Sequence, residues 1–169
     1  MQVERFTLAP GYKISRLLRG GWQLAGGHGG IGARRAVAHM AAFVDAGVTT
    51  FDCADIYTGV EEMIGRFRER LRAERGEAAL AKLKVHTKFV PDWEALPRVD
   101  RTYVRDIIDR SLCRLRTDRL DLVQFHWWDY AVPGVVETAL HLKDLQQEGK
   151  IGLIGGTNFD TPHTRALLE

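Results

Sequence analysis

The chain has 169 residues, 45% hydrophobic and 27% charged, the composition of one globular domain large enough to bury a real core. Its 24 basic and 22 acidic residues leave a net charge of +2 with no Lys/Arg block, a balance that argues neither for nor against a nucleic-acid surface, and neither nucleic acid nor membrane is expected as a partner. No apolar run approaches the roughly 18 residues of a membrane span, the first five residues lack a signal-peptide core, and Cys53 and Cys113, 60 positions apart, fit no metal or redox spacing, so a reduced cytoplasmic setting is the expectation.

Residues 1–13 alternate weakly around Pro10-Gly11, a turn signal that predicts a small hairpin. Lys13 to Leu18 reads as a first strand. Arg19 to Gly32 is a glycine-dense loop able to approach a ligand closely. Ala33 to Ala46 is a helix, with Val37, Met40, Ala41 and Val44 on one face and Gly47 as its stop. Val48 to Asp52 is the second strand. Val60, Met63, Ile64, Phe67 and Leu71 form the next helical stripe, ending near Gly76. Leu83 to Phe89 is the third strand, and Pro91 to Arg98 a loop. Asp100 is placed to cap a helix striped by Val104, Ile107, Ile108, Ser111 and Leu115. Leu120 to Phe125 is the fourth strand. Pro133 opens a helix that stops at Gly149. Ile151 to Gly155 is the fifth strand, and Asp160 with Pro162 starts the last helix.

The strands are short, apolar and β-branched, as strands covered on both faces are. Repeated βα units of this kind build a parallel sheet with right-handed crossovers. There is no linker and no low-complexity stretch, so residues 1–169 are read as one domain. Asp52 ends one strand, with Tyr57 five residues on; Lys88 lies at the end of the next, and His126 follows the one after. In a β/α barrel the carboxyl ends of the strands share one face, and that face holds the chemistry. Their spacing is regular: 36 residues from Asp52 to Lys88, 38 from Lys88 to His126 and 31 from His126 to Thr157.

A competing pattern is Gly27-His-Gly-Gly-Ile-Gly32, which fits G-x-G-x-x-G ahead of a helix, with Asp52 ending the next strand. A doubly wound nucleotide fold needs that first glycine almost directly after a strand. Here it lies well beyond, and the reading leaves Tyr57, Lys88 and His126 without a shared purpose.

Gly47-Val-Thr-Thr-Phe-Asp-Cys-Ala-Asp-Ile-Tyr57, Thr87-Lys88, Asp121-Leu-Val-Gln-Phe-His126 and Gly149-Lys-Ile-Gly-Leu-Ile-Gly-Gly-Thr-Asn-Phe159, in this order, resemble the aldo-keto reductase family over essentially the whole chain. That resemblance implies an α/β fold of the (β/α)8 TIM-barrel type. It implies reduction of aldehydes and ketones with NADPH, or NADH as the alternative, acting on a small carbonyl substrate. It implies that Asp52, Tyr57, Lys88 and His126 are a catalytic tetrad and that Thr157 and Asn158 hold the nicotinamide carboxamide. Gly21 and Trp22 match the family's first-strand loop beside cofactor and substrate, and Asp52 borders the cofactor.

The chemistry can be argued from the side chains. Hydride arriving at a carbonyl carbon builds negative charge on oxygen, so a proton donor must stand there. A phenol, with an ordinary pKa of about 10, is a weak acid until a cation favours its anion. Lys88 is the candidate cation, Asp52 its holder, and His126 a donor to the substrate oxygen. Each residue alone has a plainer reading: half-buried packing for Tyr57, a turn cap for Asp52, a snorkelling lysine, a structural histidine. Trp127 and Trp128 follow His126 and are candidates to line the substrate mouth, with one of the two expected to do so; the plainer reading of Trp128 is that it covers the barrel rim. His86, two residues before Lys88, faces the same way and reads as interior packing. His28, His39, His141 and His163 fit no metal spacing, and Cys53 reads as a buried inert thiol.

About five βα units fall short of a closed barrel, which needs about 250 residues. Strands one and five would be open edges. Three readings remain: a shortened form of a reductase, a chain completed by a copy of itself or by a separate C-terminal half, or a non-enzymatic remnant that associates through its open sheet edge.

Overall fold

The alternation of buried strands and striped helices appears in the computed structural model, which describes residues 3–26 and 32–169, as one curved parallel sheet behind an N-terminal hairpin. The elements run β1 (Arg5–Ala9), β2 (Tyr12–Ser15), β3 (Leu18–Gly20), α1 (Ala33–Asp45), β4 (Thr50–Asp52), α2 (Val60–Arg75), α3 (Glu77–Leu80), β5 (Lys84–Phe89), α4 (Arg101–Leu115), β6 (Leu120–Phe125), α5 (Val135–Gln147), β7 (Ile151–Gly156) and α6 (Thr161–Leu168). The sheet order β3-β4-β5-β6-β7 is the order in sequence, and every neighbouring pair is parallel. Each crossover therefore steps the same way, as in the arc of a (β/α)8 barrel. A doubly wound sheet reverses direction partway, so the strand order excludes the nucleotide-fold alternative. Gly27 to Ile31 of its glycine pattern lie outside the described residues.

The helical stripes pack as their periodicity dictates. All five stripe residues of α2 and all five of α4 are buried. Phe67 of α2 stacks on Phe51 of β4 at 5.7 Å, and Phe89 and Phe125 meet between β5 and β6 at 6.0 Å. Asp100 caps α4 by accepting a hydrogen bond from the Tyr103 amide at 2.8 Å, and Asp160 does the same for α6 through His163 at 2.9 Å. Helices α2 and α4 approach unusually closely at Gly65, where a Cβ would lie 2.1 Å from the carbonyl oxygen of Arg114.

Several boundaries differ from the sequence reading. The run Lys13–Leu18 is not one strand: its first half belongs to β2 and the barrel strand begins only at Leu18. The cause is Ser15, whose hydroxyl donates to the Leu17 carbonyl at 2.7 Å and accepts the amides of Thr49 and Thr50 at 3.1 Å, turning the chain in mid-run. The stretch after Pro91 contains a 3-10 turn over Trp93–Arg98, and α3 is a short helix that no periodicity announced. Helix α5 starts at Val135, two residues past Pro133.

The hairpin docks toward the amino ends of the strands. Besides the Ser15 bonds, Thr50 Oγ1 accepts from the Ser15 amide at 2.9 Å and Arg5 donates to the Thr49 hydroxyl. Tyr12 stacks on His86 and its hydroxyl lies 3.1 Å from His86 Nε2. Burial holds His86 below the ordinary imidazole range, so this end of the interior carries a neutral ring. Because the space at Gly65 is closed by backbone, Gly65→Ala is expected to destabilise the fold by about 1–3 kcal/mol in urea unfolding, with the strand and helix content unchanged.

Candidate active site

The carboxyl ends of β4, β5 and β6 bring Asp52, Lys88 and Gln124 together, with Lys88 and Gln124 both bonded to the Asp52 carboxylate. Register pairs Asp52 with His86 and Lys88 with Gln124, so consecutive strand ends step around a common concave face. Lys88 Nζ donates to Asp52 Oδ2 at 2.7 Å and to the Cys53 carbonyl at 2.8 Å. The other oxygen of Asp52 accepts from Gln124 Nε2 at 3.0 Å. Gln124 spans two strands to do so, passing over β5, which a side chain achieves only on the inside of the curve. The Lys88 ammonium also lies 5.0 Å from the centre of the Tyr57 ring. Three of the four expected tetrad residues are thus in mutual contact through Lys88.

His126 stands at the end of the adjacent strand, its amide donating to the Phe89 carbonyl at 3.0 Å. It is buried, with Nδ1 3.4 Å from the Thr157 carbonyl and with Nε2 lacking a hydrogen-bond partner among the described residues. A buried ring nitrogen without a partner is costly, and this one lies beside the Trp128 ring, edge-on at 4.4 Å.

The two tryptophans separate completely. Trp128 is 45% exposed, pairs with Trp93 at 6.2 Å and donates its indole N–H to the Pro91 carbonyl at 2.7 Å, forming part of the rim. Trp127 is only 2% exposed and packs into the core against Phe125, its N–H spent on the Val132 carbonyl at 3.2 Å. The expectation that Trp127 lines the mouth therefore fails. Successive residues at a strand end point to opposite faces, so with His126 turned inward Trp127 must turn toward the helices.

Gly21 follows β3 directly and lies against the end of β4. A Cβ there would lie 2.7 Å from the Asp52 carbonyl oxygen and 2.8 Å from a Val60 methyl, so glycine alone lets the β3 loop lie against the end of β4. Trp22 follows in a 3-10 turn and is 57% exposed. The Thr157 amide donates to the Phe125 carbonyl at 2.9 Å. Asn158 is exposed, in left-handed backbone, and its carbonyl accepts from the Tyr130 hydroxyl at 3.1 Å. Cys53 is fully buried, and burial pushes its thiol far up, as an inert core cysteine. Among the described residues no group of three or more His, Cys, Asp or Glu is arranged to hold a metal ion.

Residues 16–169 match the Aldo/keto reductase family. The chain belongs to the aldo/keto reductase family. It is 34% identical over 155 residues to Aldo-keto reductase YhdN of Bacillus subtilis, covering 88% of this chain and 45% of that protein. It is 33% identical to Oxidoreductase YdhF of Escherichia coli, covering 99% of this chain and 56% of that one. Among solved structures, the Bombyx mori aldo-keto reductase in complex with NADP superposes with a TM-score of 0.80 at 22% identity, covering 99% of this chain and 54% of its own, a likeness of fold. The chain spans about half the length of the curated relatives it matches.

Reading the sequence missed Gln124. The signal was present: it lies two residues before His126 and so shares its face. It also missed buried Asp55 and Glu61 and half-buried Arg114, a charged group on the helix side of the Tyr57 loop. The Lys88–Asp52 contact is a partly sheltered ion pair, so a double-mutant cycle of Asp52→Asn and Lys88→Met, read by thermal unfolding, is expected to show a coupling of about 1–3 kcal/mol.

Proposed function

We propose that this chain carries the acid–base part of a site that reduces small aldehydes or ketones to alcohols, with NADPH or NADH as reductant. The observation that supports it above others is the Lys88 ammonium, fixed by Asp52 at 2.7 Å and lying 5.0 Å from the Tyr57 ring centre. The nicotinamide cofactor supplies the hydride. The chain's residues suit such a group: the loop at Gly21 lies flat against β4, and half-buried Thr157, next to His126, is followed by exposed Asn158.

On this reading Tyr57 is the general acid. Its phenol gives a proton to the substrate oxygen as that oxygen gains charge, and the neighbouring ammonium of Lys88 stabilises the phenolate left behind. Asp52 keeps Lys88 in place and balances its charge, while Gln124 keeps Asp52 in place. His126 offers its ring to the same substrate oxygen, as a donor when Nε2 carries a proton, and orients it. The orphaned Nε2 would gain its missing partner from that oxygen. Trp22 and Trp128 would border the substrate. NADPH is the expectation from the resemblance, and cytoplasmic residence is the corresponding proposal for location; no helix among the described residues is long and apolar enough to cross a membrane.

A second reading is favoured by one feature: β3 and β7 each pair on one side only among the described residues, so both ends of the sheet are edges. The chain would then act by association, with a copy of itself or with a polypeptide supplying further βα units. Size-exclusion mass measured together with NADPH fluorescence separates the two. A species that oxidises NADPH with an aldehyde supports the reductase, and a monomer that binds no cofactor tells against it. In an active preparation, Tyr57→Phe is expected to lower turnover at least about a hundredfold while NADPH affinity stays within about twofold. Loss of both together would remove Tyr57 from the role of acid.

A further inference from the structure

Asp55 is 5% exposed, two residues before Tyr57, and plays no part in the chemistry just described. Each of its polar groups has a partner: the end of β5 takes its carboxylate and its amide, and α4 takes its carbonyl. Its carboxylate accepts from the Ile56 amide at 2.9 Å and, with both oxygens, from the Val90 amide at 3.3 Å. Its own amide donates to the Lys88 carbonyl at 3.3 Å, and its carbonyl accepts from Arg114 of α4 at 3.0 Å. The bonds to Lys88 and Val90 bracket the end of β5, the strand that carries the ammonium. Cys53 ties the start of the same loop to β5, through the His86 carbonyl at 2.8 Å and the Lys88 ammonium at 2.8 Å; Asp55 makes the tie that lies next to Tyr57.

Resting on the proposed role of Tyr57, we infer that Asp55 is its positioning residue, a buried clamp that fastens the Tyr57 loop to the end of β5 and so sets the ring against Lys88. The turn between them is short: the Tyr57 amide closes on the Ala54 carbonyl at 3.1 Å, so a shift at residue 55 is passed straight to the ring. The surroundings add a proton dependence. Glu61 of α2, fully buried and bonded to the Thr87 hydroxyl at 2.7 Å, faces the carboxyl from one side. Arg110, Arg114 and Tyr103 of α4 face it from the other. Burial first, and Glu61 after it, push the Asp55 carboxyl up to about 7, against the bonds from Val90 and Ile56 and the charge of Arg110. The native clamp therefore holds its proton more tightly than an opened loop, where the carboxyl would return to about 3.9. Closure is then strongest below about pH 4, weakens by up to tenfold per pH unit between about 4 and 7, and levels off above.

Two variants of the full chain test this by NMR. In the parent, nuclear Overhauser contacts between the Tyr57 ring and the Lys88 side chain are expected, assigned by the change of ring-proton shifts in Tyr57→Phe. Asp55→Ala, which removes both acceptors, should lose them while strand contacts between Phe51 and Val85 persist. Asp55→Asn, which keeps an acceptor oxygen of the same reach, should retain them. Amide exchange at Ile56 and Val90, corrected for intrinsic rates, should show opening that rises at least tenfold from pH 5 to pH 7 in the parent and stays flat in Asp55→Asn. Undiminished ring contacts in Asp55→Ala, or the same pH slope in Asp55→Asn as in the parent, would overturn the clamp. Should Asp55→Ala not fold, the slope decides alone. None of these readouts depends on turnover, so failure of the reductase reading, seen as a Tyr57→Phe variant as active as the parent, would be recognised separately.

Discussion

A lysine ammonium surrounded by strand ends is the constraint around which this molecule is arranged. Lys88 is partly sheltered and holds two acceptors, Asp52 and the Cys53 carbonyl, both from the neighbouring strand and its outgoing loop. A sheltered charge is tolerated only when its partners are fixed in place. Parallel register does that fixing: it sets β4, β5 and β6 side by side so that residues 36 and 72 positions apart meet within hydrogen-bond distance. The helices matter to the site chiefly because they hold that register, and Gly65, which lets α2 close onto α4, is part of the same requirement.

The two faces of these strands carry different charge arrangements. Inside the curve lie Asp52, Lys88, Gln124 and His126, with polar atoms still available at the rim. Behind it, Asp55, Glu61, Thr87 and Arg114 form a closed set in which the buried groups answer one another. The loop from Cys53 to Tyr57 threads between the sets and belongs to both. The same division explains the neighbours Trp127 and Trp128, one sealed in the core and the other at the rim, although nothing in their identities distinguishes them.

The helices were legible in the sequence because their burial follows a period that apolar residues display directly. The stripes of α2 and α4 are buried residue for residue, and Asp100 and Asp160 cap where their types predict. The strand order was legible through the repeat of units, and family membership through four short runs at strand ends. What escaped notice depends on contacts between distant residues. Ser15 breaks an apolar run only because Thr49 and Thr50 are there to receive it. Gln124 gains a purpose only once Asp52 lies within its reach, and Asp55 only once Val90 and Arg114 close around it. Trp127 was misjudged because proximity in sequence to His126 was taken over the alternation of the strand.

The hairpin docked at the amino ends of the strands has an implication for how the chain is made. Tyr12 and Ser15 leave the ribosome before the residues they dock on, Thr50 after 35 residues and His86 after 74. The early hairpin must wait, paired only with itself, while two strands and their helices are synthesised. Final sealing of the interior is thus a long-range event reserved for a nascent chain that has already built its third barrel strand.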